Sequence, residues 1–435
     1  MAEQKRYLRT WVAAALCLLL CVAAVNLAVD PYGFFRLVII DGFNAAKPSA
    51  LLHGQLIKPY LLHTIAPKTL ILGDSRSEVG FDPASPLWPE DLKPVFNMGS
   101  PGTASYFALR FTQTALLGHN LRVVLVGLDF RESLVDGRSA TLAPQQEARE
   151  LEGERRLPVT REGQPNRVYW LQRLSDMGSV LFSLDALVDS ATTIARQSKQ
   201  NASELTALGF NPNHDAAAAV TIEGHHYLFQ QWLEANTGRY VQAPRDIVVG
   251  DTGTSPMLGD LQTLMRLCRA EKVRVVIVLY PSHAELLELY RAAGLWSQFE
   301  QWKRELTRLV DQEHAAAPAG VAPELWDFAG FTSLTAEPVP AAGDTKSAMR
   351  WYWEPAHFKK ELGELILKRI LGSAGADVPE DFGIKLSPTT VDDDIAQTRA
   401  KEMSYRDTHP SDIGKIEELV RSYSRNHFPA VTTKN

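Results

Sequence analysis

Residues 68–77 read KTLILGDSRS, and this short stretch decides the fold. The apolar run Thr69-Leu70-Ile71-Leu72 stops at Gly73 and passes straight into small polar residues. A short, uninterrupted apolar run closed by a turn residue reads as a strand buried on both faces. Four further runs have the same character: PVFNMG at 94–99, RVVLVGLDF at 122–130, KVRVVIVLY at 272–280 and ELWDF at 324–328. Helical periodicity falls between them, from Ala104 to Leu117, Leu258 to Ala270 and Phe299 to Gln312, and a last amphipathic pattern runs from Glu361 to Leu371. Buried strands alternating with helices predict an α/β domain, a three-layer α/β/α sandwich with a mostly parallel sheet.

Working outward from that core, the domain is expected over residues 67–372. The strands are unevenly spaced, and residues 131–255 read as a mainly helical insertion, with a charged segment at 145–156 and a long helical pattern from Val168 to Leu205. Residues 373–435 read as a polar, partly helical C-terminal tail. Residues 30–66, with Pro31, Gly33 and Pro48, read as an extended neck.

Ahead of the neck, Arg9 and Asp30 are the nearest charges around TWVAAALCLLLCVAAVNLAV. A helix of that length reaches roughly 30 Å, the thickness of a bilayer core. Lys5, Arg6 and Arg9 lie on its N-terminal side, so the positive-inside rule keeps residues 1–10 in the cytoplasm. Residues 11–29 become an uncleaved transmembrane signal anchor, and the rest is carried outside the cytoplasmic membrane. A cleaved signal peptide is the rival reading, but its apolar region is shorter and Asn26-Leu27-Ala28 matches a cleavage site poorly.

Net charge is -6 over 435 residues, without the clustered Lys and Arg that a nucleic-acid partner requires. Of three cysteines, Cys17 and Cys21 sit in the apolar segment, which leaves Cys268 alone and allows no disulfide within the domain. No zinc spacing and no phosphate-binding glycine loop occur, so no metal and no cofactor are expected. His225-His226 reads as a surface pair.

Ligands of open parallel sheets bind beyond the C-terminal ends of the strands, which directs attention to five turns. Ser75, in Gly73-Asp74-Ser75, would project its hydroxyl past the sheet edge near a helix N-terminus, although the same residues suit an N-cap. Asn97-Met98-Gly99-Ser100-Pro101-Gly102 is a glycine-rich turn that lets backbone approach a ligand. Asp129 follows the third strand. His283 follows the fourth, as a base, a substrate contact or a polar loop residue. In Glu354-Pro355-Ala356-His357, a carboxylate three residues before a histidine can turn back and hold the imidazole. Together these suggest acyl transfer, in which Ser75 attacks, His357 takes its proton and Glu354 orients His357.

At these residues the sequence resembles the SGNH (GDSL-type) hydrolase superfamily. The resemblance rests on Gly73-Asp74-Ser75 and Glu354-x-x-His357, and it covers roughly residues 65–130 and 255–372. More narrowly, the chain is similar to the membrane-anchored cell-envelope branch, which includes the alginate O-acetylation proteins and the D-alanyl transfer protein of teichoic acid synthesis. The resemblance implies an SGNH/flavodoxin-like sheet, Ser75 as nucleophile and His357 as base. It also implies an oxyanion hole built from the Ser75 N–H and from Gly99 or Gly102. Two positions depart from the pattern. The usual acid is Asp where this chain has Glu354, which makes Asp327 a rival orienter. The usual Asn after the third strand is replaced by Gly127-Leu128-Asp129, and Asn97 becomes the alternative donor.

The expected function is therefore a membrane-anchored, extracytoplasmic O-acetyltransferase or O-acyl esterase acting on an exported or envelope polysaccharide. Its partners would be that acylated substrate, the cytoplasmic membrane and, for a transferase, a multi-span membrane acyltransferase that supplies the acyl group. An inactive scaffold of the same fold and a general small-ester esterase are the alternatives.

Overall fold

Five parallel strands form where the five apolar runs stand. They are β1 (Thr69–Leu72), β2 (Val95–Asn97), β3 (Val123–Leu128), β4 (Arg274–Leu279) and β5 (Glu324–Asp327). β6 (Ile384–Leu386) adds an antiparallel edge, giving the order β2-β1-β3-β4-β5-β6. This is a computed structural model, and it describes residues 2–102, 105–136, 144–197, 204–242, 244–248 and 255–428. Parts of the insertion and the last residues of the tail lie outside that set.

The sheet is apolar on both faces because alternate residues point to opposite sides. Leu70, Leu72, Val124, Val126 and Ile277 enter one buried cluster, while Ile71, Leu125, Val276 and Val278 enter the other. A mixed α/β domain with a mostly parallel sheet is thus present. The first helix is α1 (Ala2–Val29), followed by α2 (Gly54–Ile65), α3 (Ser75–Gly80) and α4 (Ser105–Leu116). The insertion supplies α5 (Pro144–Glu154), α6 (Tyr169–Phe182), α7 (Leu184–Arg196) and α8 (His214–Val241). The second half carries α9 (Pro256–Ala270), α10 (Ala284–Ala292), α11 (Trp296–Ala315) and α12 (Lys360–Ile370), then α13 (Val391–Thr408) and α14 (Pro410–His427). α3 and α12 pack together on one face, with Leu362 and Ile366 in the core.

Two boundaries differ from the sequence reading. The neck is not extended throughout. Its second half is α2, whose Ile57, Tyr60 and Leu62 are buried and which packs on α4. Pro48 made the segment read as extended, yet it opens a 3-10 turn, and Pro59 is carried inside α2. Nor do residues beyond 372 form a detached tail. β6 completes the sheet, α13 packs on α11, and α14 packs on α10 and α8. Ile395, Ile413 and Ile416 are buried there, an apolar contribution diluted in sequence by the surrounding charges.

Among the described residues, one helix is long and apolar enough to cross a membrane, Glu3–Val29 within α1, with a mean hydropathy of 2.7 in its best window.

Candidate active site

Gly73 ends β1 with φ +138°, and a Cβ there would lie 2.1 Å from the Tyr280 hydroxyl. Only glycine permits this approach. The tight turn delivers Asp74 as N-cap of α3, its carboxylate accepting from the Arg76 N–H at 2.8 Å. Ser75 is then the first residue of α3, where amides have no intrahelical acceptor. The N-cap and nucleophile readings of this turn are compatible: Asp74 caps, and Ser75 is presented.

Ser75 Oγ lies 2.7 Å from His357 Nε2, across 282 positions of sequence. On the other side of the ring, His357 Nδ1 hydrogen-bonds to Glu354 Oε1. The Glu354 carboxylate also accepts from the backbone N–H of Ala356 at 2.8 Å and of His357 at 3.0 Å. It is thus fixed by three donors, and Nδ1 carries the proton facing it, which leaves Nε2 to accept from the serine. Burial opposes a charged imidazole, but the Glu354 charge and hydrogen bond outweigh it and raise the His357 pKa above its ordinary 6.5. The imidazole remains 26% exposed, enough for a substrate to meet it.

The loop bearing these residues is pinned from several sides. The Tyr352 hydroxyl donates to Pro281 O at 2.8 Å, and the His283 N–H donates to Pro355 O at 3.0 Å. Arg76 Nε donates to Ala356 O at 3.2 Å. His225, rather than lying on the surface, is buried with Nδ1 3.2 Å from Trp353 O. Phe358 is wholly buried against Phe81 and Tyr280, so it forms no platform for a sugar.

Several candidates hold other posts. Asp327 is buried under Lys303, 2.5 Å from its ammonium, and accepts from the Ala329 N–H, so it does not orient His357. His283 caps α10, Nδ1 accepting from the Glu285 N–H at 3.2 Å while Nε2 faces Glu337 O at 2.9 Å. Burial lowers its pKa to about 4, which keeps it a neutral structural group and not a base. Asn97 donates to Ser77 O and Phe81 O and accepts from the Gly99 N–H, all at 2.8 Å. Neither the Asn97 amide nor the Gly99 N–H is therefore available to an oxyanion. Gly102, at φ +69°, lies in the exposed part of the same turn.

Asp129 does reach the site, but as half of an ion pair. Arg76 Nη1 sits 2.6 Å from Asp129 and 3.4 Å from Asp74, with both partners largely buried. Arg76 therefore joins the Ser75 turn, the end of β3 and the histidine loop. Sequence reasoning missed it. The available signal was an Arg directly after the serine together with an unexplained Asp at the end of the third strand. Tyr280 was also missed. Its hydroxyl accepts from the Asp74 N–H at 3.3 Å and bonds Ser77 Oγ at 2.8 Å, bracing the turn from β4. Lys58 of α2 pairs with Glu78 at 2.7 Å and donates to Gly99 O, which ties the neck helix to the second turn.

Among the described residues, no group of three or more His, Cys, Asp or Glu side chains is placed to hold a metal ion. No protein-family model matches the chain, and no curated protein matches its sequence.

Proposed function

We propose that the chain is a membrane-anchored serine acyl-transfer enzyme of the SGNH type, with its α/β domain outside the cytoplasmic membrane. The supporting observation is the single line of hydrogen bonds from Ser75 through His357 to Glu354. Ser75 Oγ attacks an acyl carbonyl while its proton passes to His357 Nε2. The tetrahedral intermediate collapses, the departing alkoxide takes that proton, and the acyl group stays on Ser75. A sugar hydroxyl or water then gives its proton to His357 and attacks the acyl-serine, which restores the enzyme. Glu354 stabilises the transient imidazolium.

The substrate class proposed is an O-acylated exported or envelope polysaccharide. Acetyl transfer onto such a polymer would require a multi-span membrane protein to bring the acyl group across, because the nucleophile stands away from cytoplasmic acyl donors. Hydrolysis would not. A second reading, a non-catalytic scaffold of the same fold, is favoured by one observation: Asn97 and Gly99 spend their donors inside the protein.

A fluorophosphonate probe separates these readings. The full chain in detergent is expected to label covalently, Ser75→Ala to abolish labelling, and Tyr227→Ala, a change at an exposed position of α8, to leave it intact. A folded full-length chain that never labels supports the scaffold. Labelling should also depend on pH. The base must be neutral, and its pKa is raised, so the rate should fall as pH drops and reach half its plateau above pH 6.5. A rate unchanged between about pH 8 and about pH 5.5, on either side of the ordinary histidine range, would remove His357 from the mechanism.

A further inference from the structure

In a soluble protein, helices on the surface turn apolar residues inward and polar residues outward. α6 and α7 depart from this. Half of their buried positions are polar, Asp176, Ser190 and Thr193 beside Tyr169, Val180 and Ala186, while large apolar side chains stay outside. Asp176 accepts from the Tyr60 hydroxyl at 2.6 Å and from Arg156 at 2.9 Å. Asp189 of α7 accepts from the Tyr32 hydroxyl and from Ser49, each at 2.8 Å. The outward faces carry Trp170, Leu171, Leu174 and Phe182 on α6, and Leu184 and Val188 on α7. Leu171 is 71% exposed and Leu184 68%, too open to belong to any core. On α6, Leu171 and Leu174 lie three apart, Trp170 and Leu174 four, and Phe182 returns to the Leu171 side three turns on; on α7, Leu184, Val188 and Ala191 lie three to four apart, so each set forms one stripe.

The place of this pair matters. Both helices pack on α1. They join at Ser183, beside Asn26, only one turn before α1 ends at Val29. Asn26 is fully buried at this junction. Its Nδ2 faces Leu181 O at 3.0 Å, Ser183 O at 3.1 Å and Val180 O at 3.4 Å, while Ser190 Oγ donates to its Oδ1 at 3.0 Å. The carbonyls at the end of α6 have no intrahelical donors, and Asn26 is the polar residue of an otherwise apolar span. Each would be costly in hydrocarbon alone, and each satisfies the other. Ala186 and Ser190 supply the small residues that let helices approach closely in lipid. Nearby, Asn44 binds both Ala28 O and Val38 O, which holds the exposed run Leu37-Val38-Ile39-Ile40 at the same end of α1.

We propose that the α6–α7 hairpin is a membrane-embedded collar, whose outer apolar stripe lies in the bilayer leaflet where the C-terminal end of α1 emerges. The inference rests on the reading of α1 as a membrane span. The occupant is lipid, because both helices pack on α1, whose own Leu20 and Val25 are exposed and apolar just before the junction. Interfacial helices of this kind bind through buried apolar area. The collar fixes the distance and tilt of the Ser75 site relative to the membrane instead of leaving it on a flexible tether.

The full chain, reconstituted in vesicles of phosphatidylcholine and phosphatidylglycerol, tests this. Cys17 and Cys21 are replaced by Ala, and one new cysteine at a time carries an environment-sensitive NBD label. The positions are Leu171→Cys and Val188→Cys on the collar, Val25→Cys on α1 and Met403→Cys on the exposed face of α13. Doxyl-labelled lipids are expected to quench positions 171, 188 and 25 several-fold more than aqueous iodide does, with the reverse at 403. Iodide quenching at 171 and 188 equal to that at 403, with position 25 still lipid-quenched, overturns the collar and leaves the anchor standing. Iodide access at 25 as well overturns both. Exclusion of both quenchers from 171 and 188 shows that protein covers the stripe, and it also overturns the proposal.

Discussion

Glu354→Gln is expected to slow acylation of Ser75 by about four orders of magnitude, the effect seen when the orienting acid of a serine triad becomes its amide. The reason is specific to this loop. Both carboxylate oxygens face donors: Oε1 the His357 ring and backbone N–H, Oε2 the Ala356 N–H. A glutamine must turn its NH2 toward one of them. Turned to the ring, it forces Nδ1 to accept, so Nε2 carries the proton and cannot take one from Ser75. Turned to Ala356, it sets two N–H groups against each other and loosens the loop. The control is Asp327→Asn. That carboxylate serves Lys303, so the change should lower stability and leave the rate of fluorophosphonate labelling within a few-fold of the unmodified chain. The opposite pattern, an inert Asp327→Asn and an active Glu354→Gln, would show that the acid has been misassigned.

How much of this site could be read from sequence depends on how far apart the partners lie. The five parallel strands were legible because each is a local apolar run ended by a turn residue. Ser75 was legible because it sits at such an end, and the Glu354–His357 pair because a carboxylate three residues before a histidine precedes the amphipathic pattern of α12. β6 was not, since Ile384-Lys385-Leu386 is too short to signal a strand until β5 offers it an edge. Asn97 looked like a free donor in a glycine-rich turn. Its actual partners, Ser77 O and Phe81 O, belong to α3, and no periodicity connects them. α2 was hidden by Pro31, Gly33 and Pro48 ahead of it, local signals that do not reach as far as the packing of α2. The collar shows another limit. Apolar positions at helical spacing were visible from Val168 onward, but spacing alone does not say which face turns inward. Only the structure shows Asp176 and Ser190 bonded inside while Leu171, Leu174, Leu184 and Val188 stay exposed.

Arg76→Met is expected to destabilise the folded chain by about 3–5 kcal/mol, the usual result of removing one partner from a buried ion pair. The guanidinium is the nearest cation to two buried carboxylates, Asp129 at 2.6 Å and Asp74 at 3.4 Å. Burial and the neighbouring Asp129 charge push the Asp74 pKa up, with the Arg76 charge opposing that rise. Without Arg76, Asp74 must take up a proton or remain charged in a confined space. The loss should therefore be smaller at low pH, where protonation of Asp74 is cheap. Adding Asp129→Asn to Arg76→Met should recover part of the stability, with an interaction energy of roughly 0.5–3 kcal/mol in the double-mutant cycle. Thermal or denaturant unfolding of the full chain in detergent measures both. Arg76→Lys separates charge from geometry. A lysine keeps a cation near Asp129 but lacks the planar fork that also reaches Ala356 O. It should restore most of the stability while labelling of Ser75 stays slow, because the histidine loop has lost one of its pins. Equal recovery of stability and labelling rate in Arg76→Lys would reduce Arg76 to a counter-charge with no part in positioning His357.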